Sequence, residues 1–459
     1  MKNLTLRNIV SACDGQYVGE EELLDREIRG AVTDSRQIEP DYLFIPVKGE
    51  RVDGHDFIPG VFEKGALATF SERPYVQCPG PYILVESSLA ALKKLAAFYR
   101  SQLTIPIVGI TGSVGKTSTK EMIASVLSVK YRVLKTAGNY NNEIGLPLTL
   151  LRICEEHEAA VVEMGISEFG EMHRLGEIAR PDICVITNIG TCHLENLGDR
   201  DGVLRAKSEV FDHLRKNAFV FLNGDDDKLC TVESAGGRKP AFYGLGQQEI
   251  HMEDVENLGL KGSRAKLCTT AGDIMVEVPL PGRHNLYNAM AAAGVGLSLG
   301  LTLEEIRQGM AAAQTIAGRS NLIEANGLMI IDDCYNANPM SMKASLEVLS
   351  YGLQRKIAVL GDMGELGADE MRLHYEVGAY AAEKGIDVLF CAGELSEEIA
   401  RGAKECGGCS QVQHYRNKEE LLETLLEMVG TGDTILVKAS HFMTFSEIVE
   451  ALQKLKNME

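Results

Sequence analysis

One segment constrains this chain more than any other: Gly109-Ile110-Thr111-Gly112-Ser113-Val114-Gly115-Lys116-Thr117-Ser118. Before it runs an apolar stretch, Ile105-Pro106-Ile107-Val108-Gly109-Ile110, and after it Met122, Ile123, Val126 and Leu127 recur at helical spacing. The pattern predicts a buried strand, a tight turn and an amphipathic helix. Glycines let backbone N–H groups approach an anion, and the positive end of the helix favours negative charge. Lys116 would reach terminal phosphates and the Thr117 hydroxyl a magnesium ion. The strict spacing G-x-x-x-x-G-K-[ST] would need Gly at 110, where this chain has Ile, so the match is to a variant, T-G-x-x-G-K-T. Gly112, Ser113, Gly115, Lys116, Thr117 and Ser118 are the candidate nucleotide ligands; the bland alternative is a glycine-rich turn that holds a lysine.

A strand feeding a phosphate loop belongs in an α/β sheet, and the neighbouring runs agree. AAVVE (159–163), ICVITNI (183–189) and AFVFL (218–222) read as parallel strands buried on both faces. A small β-rich insertion follows near 250–280. After about residue 315, LMIID (328–332), KIAVLGD (356–362), DVLFCAG (387–393) and DTILVKAS (433–440) alternate with helical segments, which predicts a second, doubly wound unit. The 459 residues, at roughly 150 per domain, allow two to four domains, and these features divide them into three: an α+β domain over 1–102, a central domain with a mostly parallel sheet over 103–315, and a Rossmann-like domain over 316–459.

Lys plus Arg number 46 and Asp plus Glu 65, a net charge of −19 that repels nucleic acid and anionic lipid. An anionic substrate must therefore find a local positive site. No apolar stretch approaches the ~20 residues that span a bilayer, and the amino-terminal residues carry no export pattern. Eleven cysteines without disulfide-framework spacing complete the expectation of a reducing cytoplasm. Cys406 and Cys409 have no partner pair and read as a surface turn. The acidic stretch near 418–427 reads as a solvated helix face.

Glu163 ends the second parallel run and His193 follows the third, so both fall on the sheet edge that carries the loop. Together they could serve a metal; separately, Glu163 reads equally as a solvated strand end and His193 as a structural histidine. Asn is dense at Gly138-Asn139-Tyr140-Asn141-Asn142, at His284-Asn285-Leu286-Tyr287-Asn288 and at Tyr335-Asn336-Ala337-Asn338-Pro339. Amides read sugars, bases and peptides but also build turns; three clusters favour a polar ligand.

Over nearly its whole length the chain resembles the Mur ligases, ATP-dependent amide-bond-forming enzymes of peptidoglycan precursor synthesis. The likeness is carried by Asp34-Ser35-Arg36 and GERVDGHDF (49–57), TGSVGKTSTKE, NYNNEIGLPLTLL, VEMGISEFGEM and TNIGTCHLENLG. It continues in Arg205-Ala206-Lys207-Ser208-Glu209, GRHNLYNAMAA, Ala317-Gly318-Arg319, DDCYNANP (332–339) and GDMGELG (361–367). It implies addition of D-alanyl-D-alanine to UDP-N-acetylmuramoyl-tripeptide through an acyl phosphate, by a monomer. Lys116 and Thr117 would hold ATP and Mg²⁺, two ions being expected, with Glu163 and His193 as further metal ligands. Lys207 would be carbamylated, a cation turned into a carboxylate-like ligand. Asn285 and Asn288 would contact adenine, Arg319 a phosphate and Asp333 the ribose. Ser35 and Arg36 would take the UDP end, and Asn139, Asn142, Tyr335 and Asn336 are assigned to substrate. Cys192, Cys334 and His441 stand where Ala, Ser and Arg are usual, and the role of His441 stays open. Two other readings remain: a different ligase of the superfamily, either an amino-acid-adding Mur ligase or a folylpolyglutamate synthetase, and an idle nucleotide-binding protein.

Overall fold

A computed structural model describes residues 2–49, 51–75 and 77–455, so Glu50 of the 49–57 motif lies outside the described residues. Three sheets follow one another along the chain. In the first, the strands Gln16–Val18, Tyr82–Leu84, Ala68–Ser71, Tyr42–Phe44 and Gly30–Val32 lie side by side in that order, antiparallel at the first pair and parallel thereafter. The Asp53-Gly54-His55 turn is structural: the His55 ring is buried, its Nδ1 is 2.7 Å from Asp53 Oδ1, and its Nε2 accepts the Glu72 N–H at 3.1 Å.

Helix Ser88–Gln102 closes this unit, capped by the Ser87 hydroxyl, which accepts the Ala90 N–H. Its apolar stripe (Leu92, Leu95, Ala96, Tyr99) is buried in a core continuous with one face of the central sheet. Arg100, with no exposed surface, donates to the carbonyls of Ala179 (2.7 Å) and Arg180 (2.8 Å) and pairs with Asp182 at 2.7 Å. The helix is thus shared between two units, where apolar periodicity alone marks only a helix at a boundary.

The central sheet has nine strands, in the order Gly272–Val278, Ser263–Thr269, Ile250–Asn257, Ala241–Gly244, Phe219–Asn223, Ile183–Ile186, Ile107–Thr111, Ala159–Glu163 and Val133–Lys135. All neighbouring pairs are parallel except the first two, so the β-rich stretch near 250–280 extends the sheet and Ser263–Thr269 is its one reversed strand. Every residue of Ile107–Thr111 and Ala159–Glu163 is buried, the outcome of covering both faces with helices. Chain connections run away from Ile107–Thr111 in both directions, and such a reversal opens a crevice at the carboxyl ends of the strands.

The third sheet runs Asn321–Ala325, Leu328–Asp332, Thr434–Lys438, Lys356–Gly361, Val388–Ala392, Gln411–Tyr415. Only the first pairing is antiparallel, and separate cores cover the two faces. Asn321–Ala325 and Gln411–Tyr415 are edge strands that the apolar runs did not reveal, because every residue in them is at most half-buried or exposed. The helix Lys418–Met428 exposes its acidic residues and buries Leu421 and Leu425. Among the described residues no helix is long and apolar enough to cross a membrane.

Candidate active site

A cavity of about 1340 Å³ opens between the carboxyl ends of the central and third sheets. The phosphate loop forms its floor. Gly112 and Gly115 take φ of +143° and +82°, conformations that L side chains rarely adopt. A Cβ on Gly112 would stand 2.0 Å from Thr187 Oγ1. The loop is tied to the next strand end, since Asn188 accepts the Ser113 N–H on its carbonyl (3.0 Å) and the Val114 N–H on Oδ1 (2.9 Å). Asn188 Nδ2 donates to the Val114 carbonyl at 2.9 Å, and the Gly190 N–H donates to Ser113 Oγ at 2.8 Å. Lys116, the first residue of helix Lys116–Leu127, curls its ammonium onto the carbonyls of Gly112 (2.9 Å) and Ser113 (3.3 Å). Phosphate oxygens would replace those carbonyls.

Beside the loop, Thr117 Oγ1 donates to Glu163 Oε2 at 2.9 Å, and Asn141 Nδ2 donates to Oε1 at 2.8 Å. Glu163 is therefore no solvated strand end: it is 2 % exposed and held from both sides. His193 lies in the left-handed region (φ 54°), and its Nδ1 pairs with Glu365 Oε2 of the third unit at 2.7 Å. Burial pushes its pKa below the ordinary imidazole value, against the pull of Glu365. Glu163 and His193 thus both border the cleft but are held by different partners. Lys207 is 1 % exposed. Burial lowers its pKa to about 8; the Lys116 charge adds to this, while Cys192 opposes it.

Asn285 and Asn288 form a structural chain: Thr119 Oγ1 donates to Asn288 Oδ1 (2.7 Å), Asn288 Nδ2 to Asn285 Oδ1 (2.8 Å), and Asn285 Nδ2 to the Pro281 carbonyl (2.8 Å). Both are buried, and they lock helix His284–Ser298 to the phosphate-loop helix; of the pair, only Asn288 borders the cavity. The Asn142 oxygen holds the turn before helix Gly145–Leu150 by accepting the Gly145 N–H at 2.8 Å, whereas Asn139 is exposed at the cleft. Asp333 is engaged on both oxygens, by the Ser320 N–H (3.0 Å), by Lys438 Nζ (2.7 Å) and by Ser345 Oγ. The Arg319 guanidinium lies 4.0 Å from the Tyr335 ring centroid, and the His441 ring lies 5.6 Å from it on a tilt of 34°. Asn336 is exposed at the rim, and its carbonyl accepts from Lys438 at 3.0 Å. Ser118 also lines the cavity, but Ser35 and Arg36 do not. Arg36 is paired with Asp34 at 2.7 Å and holds that carboxyl down at about 2.

Asn141, Asn188, Glu365 and Lys438 belong to the site but were not singled out from the sequence. Asn141 and Asn188 stood inside motifs with nothing to set them above their neighbours. Glu365 and Lys438 act on residues far along the chain.

The chain matches the family models described as "Mur ligase family, catalytic domain" over 27–100, "Mur ligase middle domain" over 110–296 and "Mur ligase, glutamate ligase domain" over 318–441. It is 39% identical over 455 residues to the UDP-N-acetylmuramoyl-tripeptide–D-alanyl-D-alanine ligase of Bacillus subtilis, covering 98% of each chain. A MurF crystal structure from Acinetobacter baumannii superposes with a TM-score of 0.90 at 33% identity, covering 98% of this chain and 99% of that one. The MurF ligase of Thermotoga maritima in complex with ADP superposes at 0.82 and 32% identity, covering 93% and 97%.

Proposed function

The chain belongs to the Mur ligase family, and from that premise we propose that it joins D-alanyl-D-alanine to UDP-N-acetylmuramoyl-tripeptide, consuming ATP. The observation that carries this reading is end-to-end likeness to the Bacillus subtilis ligase of that name. We take the units as 1–102, 103–315 and 316–459, bounds supported by the breaks between the three sheets.

A carboxylate is a poor electrophile, so the tripeptide carboxylate attacks the γ-phosphorus of ATP in line, forming an acyl phosphate and releasing ADP. Lys116 and the N–H groups at the start of helix Lys116–Leu127 hold the negative charge that spreads over the phosphoryl oxygens. The left-handed glycines let the backbone come close enough to do so. The free amine of D-alanyl-D-alanine then attacks the acyl carbon, and the tetrahedral intermediate expels phosphate.

The Thr117 hydroxyl and Glu163 carboxylate, in direct contact, form a hard oxygen pair that suits Mg²⁺. His193 would join them on leaving Glu365. The buried Lys207 amine, with its pKa lowered to about 8, suits carbamylation by CO₂, which would give an anionic oxygen ligand for a second ion. Such ions would neutralise phosphate charge; the chain's own part is to hold their oxygen ligands in place. Arg319, Tyr335 and Asp333 line the cleft from the third unit, Asp333 braced by Lys438, which supports assigning Arg319 to a phosphate and Asp333 to the ribose. Ser35 and Arg36 are assigned to the UDP end, and Asn139, Asn142 and Asn336 to the rim that receives the peptides. The acyl phosphate is labile to water, so the third unit closes over the cleft before the amine arrives. One complete set of sites per chain supports a monomer.

The test is phosphate release from Mg-ATP with UDP-N-acetylmuramoyl-tripeptide, with and without D-alanyl-D-alanine. Release that needs both, with a pentapeptide product, is expected. Turnover with a single amino acid or a folate, and none with the dipeptide, would overturn the assignment within the family.

A further inference from the structure

At the antiparallel edge of the central sheet, three donor side chains with no part in the ligase reading converge. His251 and Glu253 are two residues apart on the strand Ile250–Asn257, so they project from the same face. The register sets Cys268 opposite His251 and Lys266 opposite Glu253. Regular pairing breaks just beyond Glu253, where Asp254 takes φ of 50°. The ligand atoms of His251, Glu253 and Cys268 all lie within 4.8 Å of one another.

Protonation narrows what such a cluster can hold. His251 Nδ1 lies 2.9 Å from the Gln248 carbonyl, which only accepts, so Nδ1 carries the hydrogen. In the neutral ring Nε2 therefore presents a lone pair, and it faces Glu253 Oε1, another electron-pair donor, at 3.4 Å. The Cys268 thiol makes a long contact of 3.8 Å to the Lys266 carbonyl and also faces the Glu253 carboxylate. Lys266 Nζ sits on the other Glu253 oxygen at 3.2 Å and on Asp273 at 3.0 Å, leaving Oε1 to the cluster. A nitrogen, an oxygen and a sulfur around one point, with the imidazole oriented by a backbone carbonyl, are the donors that Zn²⁺ takes.

We infer that His251, Glu253 and Cys268 form a Zn²⁺ site that clips two neighbouring strands of the sheet edge, separate from the ligase cleft. On binding, the Cys268 S–H proton passes to solvent as the Zn–S bond forms, and a water completes the coordination. None of the three residues lines the cleft, so the clip acts on the sheet edge rather than on catalysis.

The full-length protein, in excess Mg²⁺, is titrated with Co²⁺ as a spectroscopic stand-in. One equivalent is expected to raise a thiolate-to-cobalt charge-transfer band, which Zn²⁺ then displaces. The band is expected to vanish in Cys268→Ser and binding to weaken by about tenfold or more in His251→Gln and Glu253→Gln. Glu253 is exposed, so its variant keeps the test decisive if the buried Cys268 substitution unfolds the edge. Absence of the band in the parent, or an unchanged titration in the His251 and Glu253 variants, overturns the site and leaves His251 and Glu253 as a surface contact on one strand.

Discussion

Lys116 combines two roles that one substitution separates. Its stem begins the helix and its ammonium reaches over the loop, so Lys116→Ala keeps the helix and removes the charge. A loss of about 10²–10³ in kcat is expected in the phosphate-release assay, with little change in Tm. Gly112→Ala does the reverse: its Cβ meets Thr187 Oγ1 at 2.0 Å at a φ of +143°, so the loop must distort. A cost of about 1–3 kcal/mol and lost nucleotide binding are expected, read by urea titration and calorimetry. Lys207 carries a pH dependence. Carbamylation needs the neutral amine, and with the pKa at about 8 that form is scarce below this value and dominant above it. At fixed dissolved CO₂, the rate of carbamate formation should rise with pH up to about 8 and flatten beyond, followed by ¹³C NMR with labelled bicarbonate. Loss of the signal in Lys207→Ala assigns it.

At the scale of elements, helix Ser88–Gln102 is the joint between the first two units. Its apolar side chains can slide against a neighbour with modest loss, whereas Arg100 fixes it by direction, through two carbonyls and a carboxylate. Burial lowers the pKa of that guanidinium to about 10, a cost accepted only because its donors are satisfied. Arg100→Ala removes the charge and leaves two carbonyls without a donor. A loss of about 3–5 kcal/mol is expected from chemical denaturation, with the first unit becoming more sensitive to protease. The amphipathic spacing of this helix is legible along the chain: Leu92, Leu95, Ala96 and Tyr99 recur at helical spacing and are among the residues it buries. That a fully buried arginine would dock it was not, because the acceptors come from residues 179–182, distant in sequence.

At the scale of the molecule, the polar contact between His193 and Glu365 joins the central and third units, the one contact between a basic side chain and a carboxylate to do so among the described residues. Glu365 is mostly exposed, so the pair is worth no more than about 1 kcal/mol. It biases the spacing of the units without locking it. Glu365→Ala is expected to shift the balance of open and closed forms by about fivefold at most, visible by X-ray scattering of the ligand-free protein. If closure also builds the dipeptide site, D-alanyl-D-alanine should bind only after ATP and the nucleotide peptide. Calorimetric binding of the dipeptide to the free protein would contradict that order.

The α/β class, three sheets in sequence, the phosphate loop and the strand-end position of Glu163 could all be read along the chain, because each depends on neighbours within one strand–turn–helix unit. Partnership could not. Asn141 rather than Asn139 or Asn142 holds Glu163, Asn285 and Asn288 brace each other, His193 is held by Glu365, and Lys438 claims Asp333. Local spacing sets which face a residue joins, but its partner is whatever the sheets and the unit interface bring within about 3 Å, the range over which hydrogen bonds form.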